Sequence, residues 1–348
     1  MNPRPPGPEV KDGCHVTKRA TGLLGVGIAL VLAVAGCGKG TPAQTEKDER
    51  PVRKIAVLRL GEEGEYLDGH VKAMKKALAA QGFEEKRDYR IKSLSAQNEL
   101  TNVVQIIASV KDERPDLVVV LQGPMLFAAI QRAPELKKVF AILTDPFALG
   151  AGRSSVDHLP NVTGVFVSFP AARLFDIVRQ CTPVPRRIGT LFMVGDAESV
   201  ALKDQMARRA AERGFEVVAQ PYTTIGELTE ALRALESKRV DALVPITDAY
   251  VDLVYALMSK ASRDTRVPFF AFWPKPGSGA SIICLPTSES FTSAGQFGEL
   301  VARVFGGEDP TTIPFVDAAK EMPDYLVSDE DAKRCGLTIP DAVRRNAK

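Results

Sequence analysis

The sequence predicts an α/β protein of two Rossmann-like lobes, each built on a parallel sheet, joined by a hinge. Three observations predict it. Short apolar runs of strand type alternate with amphipathic segments of helix type. The alternation runs through the chain twice in the same order. In each half a helix is stopped by Gly-Phe, at Gly82-Phe83 and Gly214-Phe215, 27 residues after Ile55 and 26 after Ile188.

In the first half, Val52–Leu58 reads as a buried strand. Tyr66–Ala80 follows as a helix with Leu67, Val71, Met74 and Leu78 on one face. Tyr89–Leu94 is a strand, Leu100–Val110 a helix, Asp116–Leu121 a strand and Val139–Leu143 a fourth strand. The second half gives a strand at Arg187–Met193, a helix at Val200–Arg213 and a strand at Glu216–Ala219. A helix at Ile225–Ser237 and strands at Asp241–Ile246 and Pro268–Phe272 complete it. Crossover connections of this kind are right-handed and give parallel sheets. Lobe I is expected over 52–165 plus about 287–312, and lobe II over 166–286 plus about 313–348.

Composition bounds the function. A chain of 348 residues holds about two domains at roughly 150 residues each. Hydrophobic residues at 45% and charged residues at 25% exclude a disordered or collagen-like chain. One long apolar run excludes a polytopic membrane protein. A net charge of +2 offers no field for nucleic acid.

That apolar run, Leu23–Val34, follows Lys18-Arg19 and ends in Val34-Ala35-Gly36-Cys37. It is short for a membrane span and ends on small residues, so residues 1–36 read as a signal peptide. The last four residues resemble a bacterial lipobox. The resemblance implies cleavage before Cys37 and lipid on its thiol and new amino group, hence a lipid anchor on the extracytoplasmic side of a bacterial membrane. Removal of 1–36 leaves 41 basic and 41 acidic residues, a neutral body. Residues 37–51 are a lipidated tether of Gly, Lys, Thr, Pro and acidic residues; its last fourteen residues span about 45 Å when extended. The stretch before Val16 is Pro-rich and carries Glu9 and Asp12, unlike an export n-region. Two readings stand: translation from Val16, or a long n-region.

Parallel sheets bind ligands beyond the carboxyl ends of their strands. In two lobes those ends face one cleft, and closure about a hinge is expected. The residues placed there are Tyr66, Gln97, Gln122, Thr144 and Asp145 in the first half. In the second they are Asp196, Glu198, Ser199, Thr247, Asp248 and Trp273. Ser199 falls at a helix start, where N–H groups suit a ligand anion. Asp145 and Asp248 suit an ammonium or hydroxyl, and Trp273 a flat apolar group. Each has a second reading: Asp145-Pro146 is turn chemistry, and Asp196 or Ser199 caps the next helix.

Catalytic and cofactor motifs do not emerge. There is no G-x-S-x-G; Gly38-Lys39-Gly40 lacks P-loop spacing, and Gly277-Ser278-Gly279 opens no helix after a strand. No cofactor, catalytic residue or metal is expected, since His70 and His158 have no Cys or His at ligand spacing. Cys181, Cys284 and Cys335 allow at most one disulfide and read more simply as buried thiols.

Several segments carry a family resemblance. Tyr66-Leu67-Asp68, Gly82-Phe83 and Glu85-Lys86 are similar to the first βα unit of the substrate-binding lipoproteins of ABC transporters, tryptophan/tyrosine-type, which have the type I periplasmic binding protein fold. Ser95-Ala96-Gln97, Thr144-Asp145-Pro146, Asn161–Gly164 and Gly195–Ser199 resemble further motifs of that family. So do Gly306–Pro310, Ile313-Pro314 and Leu337–Pro340, from about Val52 to Arg345. The chain departs from the pattern at Gln122–Met125, at Phe272-Trp273, and at Glu198, where the family usually has Asn. The resemblance implies a monomeric extracytoplasmic protein that captures an amino acid or similar polar solute for an ABC permease. A lipid-anchored sensor that reports occupancy to a membrane receptor is the alternative.

Overall fold

The computed structural model describes residues 51–61, 65–272, 281–285, 293–321 and 325–347. The signal peptide, Cys37, nearly all of the tether and Trp273 lie outside the described residues, as does the side chain of Tyr66. Residues Arg50–Lys348 cluster as one compact unit.

The first lobe opens with β1 (Arg53–Arg59), α1 (Glu65–Ala80), β2 (Tyr89–Ser95) and α2 (Leu100–Glu113). It continues with β3 (Leu117–Leu121), α3 (Gly123–Arg132), β4 (Lys138–Ala141) and β5 (Val162–Phe166). The chain then enters the second lobe through α4 (Ala171–Val178), β6 (Arg187–Met193), α5 (Ala197–Ala211), β7 (Glu216–Tyr222) and α6 (Leu228–Ser237). That lobe adds β8 (Ala242–Leu243), α7 (Val251–Thr265), β9 (Phe270–Phe272) and β10 (Ile283–Leu285). The chain returns to lobe one for α8 (Ser293–Phe305) and β11 (Val316–Asp317). It crosses a third time to β12 (Leu326–Val327), α9 (Asp329–Arg334) and α10 (Asp341–Arg345).

The lobe one sheet has the order β2-β1-β3-β4-β5-β11, with every pair parallel. In lobe two, β7-β6-β8 and β9-β10-β12 are joined by a parallel bridge between Leu243 and Phe269. The strand order is therefore the same in both lobes. Among the described strands, β12, antiparallel to β10, is the exception to the parallel pattern. The repeat read in the sequence is a repeat of topology.

Strands covered on both faces must be apolar throughout. In β3, Val118 and Val120 enter the cluster that holds Ile107 and Leu126, while Leu117, Val119 and Leu121 enter the one that holds Met74 and Phe297. Each such side chain contributes roughly 1.5–3 kcal/mol on burial. The Gly-Phe stops work as the sequence suggests. Gly82 (φ 85°) and Gly214 (φ 78°) take left-handed backbone, and Phe83 and Phe215 donate their N–H groups back to Leu78 and Ala210.

Several expected boundaries move. The fourth strand of lobe one ends at Ala141 rather than Leu143, because Ile142 has φ 62° and leaves the extended region. In lobe two the Asp241–Ile246 run supplies only Ala242–Leu243, with Pro245, which has no N–H for a ladder, just beyond. The last crossing falls after Asp317, not near 313, since Val316 and Asp317 pair with Val165 and Phe166. Cys181, Cys284 and Cys335 are free thiols. Burial pushes the Cys181 thiol up to about 11 and Cys284 up to about 12.

Helices α1 and α8 pack closely over one face of the lobe one sheet. Gly298 of α8 makes that approach possible: a β-carbon there would lie 2.7 Å from the Ala73 carbonyl oxygen. Gly298→Ala is expected to destabilise the fold by about 1–3 kcal/mol through forced separation of the two helices. Urea denaturation checks this; an unchanged midpoint would contradict the close packing.

Candidate functional site

Loops that follow strands of both lobes meet between the lobes, and Glu198 of lobe two makes a contact across to lobe one. It sits in the first turn of α5, after β6, and is only 2% exposed. Its Oε1 accepts hydrogen bonds from the main-chain N–H groups of Thr144 and, at 2.9 Å, Asp145 in the loop after β4. Its Oε2 lies against Gly123 at the start of α3, where any side chain would run into it. A second link is Tyr250, whose hydroxyl donates to the Asn98 carbonyl in the loop after β2, 3.1 Å away. Ala249 packs against the cores of both lobes.

Three more carboxylates line the same region, each engaged by main-chain N–H. Asp196 caps α5, with Oδ1 accepting from Glu198 N (2.9 Å) and Ser199 N (3.3 Å), and its Oδ2 accepts from Ala249 N (3.1 Å). Asp248 accepts from the Tyr222 hydroxyl at 2.5 Å and from Tyr250 N at 2.8 Å. Asp145 Oδ1 accepts from Phe147 N (3.0 Å) and Ala148 N (2.9 Å), a local turn. Among the described residues, the hydrogen-bond partners of these four carboxyl groups are N–H groups and one phenol, with no Lys or Arg. Arg59, at the end of β1, pairs at 3.8 Å with Asp68 of α1.

Burial without a cation governs their protonation. Glu198 is pushed up to about 8, first by burial and then by the Asp196 charge, against the pull of the Thr144 and Asp145 N–H groups. Asp248 is pushed up to about 7 by burial, opposed by Tyr222 and the Tyr250 N–H. Asp196 is raised by burial as well, and the Tyr222 phenol is raised by burial and by the Asp248 charge.

The remaining expected site residues are distributed as follows. Gln122, at φ 79°, turns its Oε1 to Leu60 N (3.0 Å) and Gly61 N (3.4 Å), tying the end of β1 to that of β3. Ser199 is fully buried, and its hydroxyl accepts from Met193 N at 2.9 Å. The start of α5 is thus capped by Asp196 rather than open to an outside anion, the second of the two readings made from the sequence. Thr144 is buried; Gln97 is exposed in left-handed backbone, and Thr247 is half-buried beside Asp248. Sequence reasoning did not single out Tyr222 or Tyr250, and it placed Gly123 after a strand, within Gln122–Met125, without giving it a role. Tyr250 stands two residues after Asp248, in the same post-strand loop, and that position was a usable signal. Among the described residues, no group of His, Cys, Asp and Glu could hold a metal ion.

Two lobes of one strand order, meeting at the carboxyl ends of their sheets, are the architecture of type I periplasmic binding proteins. The sequence profile of the ABC transporter substrate binding proteins matches residues 54–348, and the chain belongs to that family. It is similar to a tyrosine-binding protein of Clostridioides difficile (strain R20291), 24% identical over 304 residues that span 86% of this chain and 87% of that one. Among solved structures it resembles a conserved domain protein from Vibrio cholerae O1 biovar El Tor, with TM-score 0.74 and 23% identity, over 85% of this chain and 99% of that one. It also resembles an ABC domain from Streptococcus pneumoniae in complex with L-Trp, with TM-score 0.73 and 19% identity, over 85% and 98% of the two chains.

The Glu198 environment has a measurable consequence. A carboxyl raised from about 4.3 in the unfolded chain to about 8 in the fold stabilises most below the unfolded value, and that contribution is lost as pH rises through 8. Glu198→Gln keeps an oxygen for the two N–H groups and removes the titration. Its melting temperature is expected to equal that of the parent near pH 5 and to exceed it by on the order of 5 °C at pH 8.5. Parallel melting curves across the pH range would contradict this.

Proposed function

We propose that this protein is an extracytoplasmic solute-binding lipoprotein that captures a small polar solute of amino-acid size between its lobes and delivers it to an ABC permease. The observation that carries the reading is the cleft itself. Main-chain and side-chain groups from the carboxyl ends of both sheets converge there, and Glu198 and Tyr250 reach across to lobe one. Family membership supports the transport role. The L-Trp complex and the tyrosine-binding relative support a solute of this size. No chemistry is done on the solute; its binding energy goes into favouring the closed form that a permease recognises. Tyr66, Gln97, Thr247 and Trp273, by their places after strands in the sequence, are the side chains we assign to the solute.

The anchor rests on Val34-Ala35-Gly36-Cys37 and the polar tether after it. No helix among the described residues is long and apolar enough to cross a membrane. Cys37→Ser is expected to leave unprocessed precursor and to abolish fatty-acid labelling; normal maturation of the variant would contradict lipidation. Native mass spectrometry of the purified protein tests the binding role. One small molecule per chain, released on denaturation and unchanged by incubation, is the expected result. Chemical turnover of that molecule would contradict it.

A further inference from the structure

The carboxyl group at the centre of the cleft belongs to the protein. In lobe one, the N–H groups of Thr144 and Asp145, next to the first residue of α3, form a seat for an anion. Glu198 fills that seat from lobe two, and Gly123 leaves it the room. Among the described residues, further N–H groups in these loops are met in the same way: Phe147 and Ala148 by Asp145, Glu198, Ser199 and Ala249 by Asp196, and Tyr250 by Asp248. A solute carboxylate entering here would have to displace Glu198, because the N–H donors of Thr144 and Asp145 are already taken. A solute amine meets carboxyl groups that have no Lys or Arg bonded to them among the described residues.

We infer that Glu198 sets the solute class of the cleft: it occupies the anion seat of lobe one, so the protein selects a solute that carries an amine and lacks a carboxylate. This rests on the solute-binding reading above and narrows it.

Calorimetric titration with two matched pairs, tyramine against L-tyrosine and tryptamine against L-tryptophan, tests it on the parent protein, Glu198→Gln and Glu198→Ala. The parent is expected to bind at least one amine tenfold or more tightly than its amino acid. Glu198→Gln, with the seat still filled, should go on excluding the amino acid. Glu198→Ala should shift the ratio at least tenfold toward the amino acid. A parent that binds the amino acid as tightly as the amine overturns the inference and leaves the solute-binding reading intact. So does an Ala variant whose ratio stays within threefold. If the Ala variant does not fold, the parent ratio decides alone. Failure of all four compounds to bind the parent overturns the inference, while a solute found in the purified protein by native mass spectrometry leaves the solute-binding reading intact.

Discussion

A buried main-chain N–H without an acceptor costs about 1–3 kcal/mol, and the loops beyond parallel strands collect such groups at the cleft between two lobes. The arrangement of this cleft follows from how they are satisfied. Four carboxylates of the chain, Asp145, Asp196, Glu198 and Asp248, accept from N–H groups in the loops after β4, β6 and β8. Three do so within their own lobe. Glu198 does so across the cleft, so the acceptor that satisfies lobe one is carried on α5 of lobe two. Burial of these groups without a neutralising cation is what drives Glu198 and Asp248 toward the neutral range.

The rest of the architecture serves to bring those loops together. Equal strand order in the two lobes puts the post-strand loops of each at equivalent places, and the chain passes between the lobes three times. Lobe one is stiffened where α1 and α8 pack, and Arg53 adds a hydrogen bond to the Phe305 carbonyl at 2.5 Å while lying over that residue's ring. Among the described residues, polar links from Glu198 and Tyr250 and the shared packing of Leu100 and Ala249 join the lobes. Lobes with cores of their own are the mechanical requirement for hinge motion around a solute.

Much of the fold was legible because period and punctuation carry it. A short run such as Leu117–Leu121, apolar at every position and rich in valine, suits a strand covered on both faces. Gly82 and Gly214 mark helix ends by a backbone conformation that suits glycine. The short elements were not legible: Ile142 ends β4 by a positive φ that nothing in an apolar run announces, and β11 gains its place only through pairing with β5. For the site, position was readable and orientation was not. Asp196 could be placed at a helix start from the sequence, but its bond to Ala249 depends on two loops separated by about fifty residues. Glu198 was visible as a departure from its family's usual Asn; that it bonds to the other lobe was not.

The account turns on whether the Glu198 carboxyl lies buried against lobe one. Its side-chain carbon-13 resonance, followed through a pH titration of the purified protein and assigned by its loss in Glu198→Gln, measures this directly. A midpoint near 8 is the result expected of a carboxyl held among the N–H groups of Thr144 and Asp145 beside Asp196. A midpoint near 4.3, the value of a glutamate in water, would contradict the account.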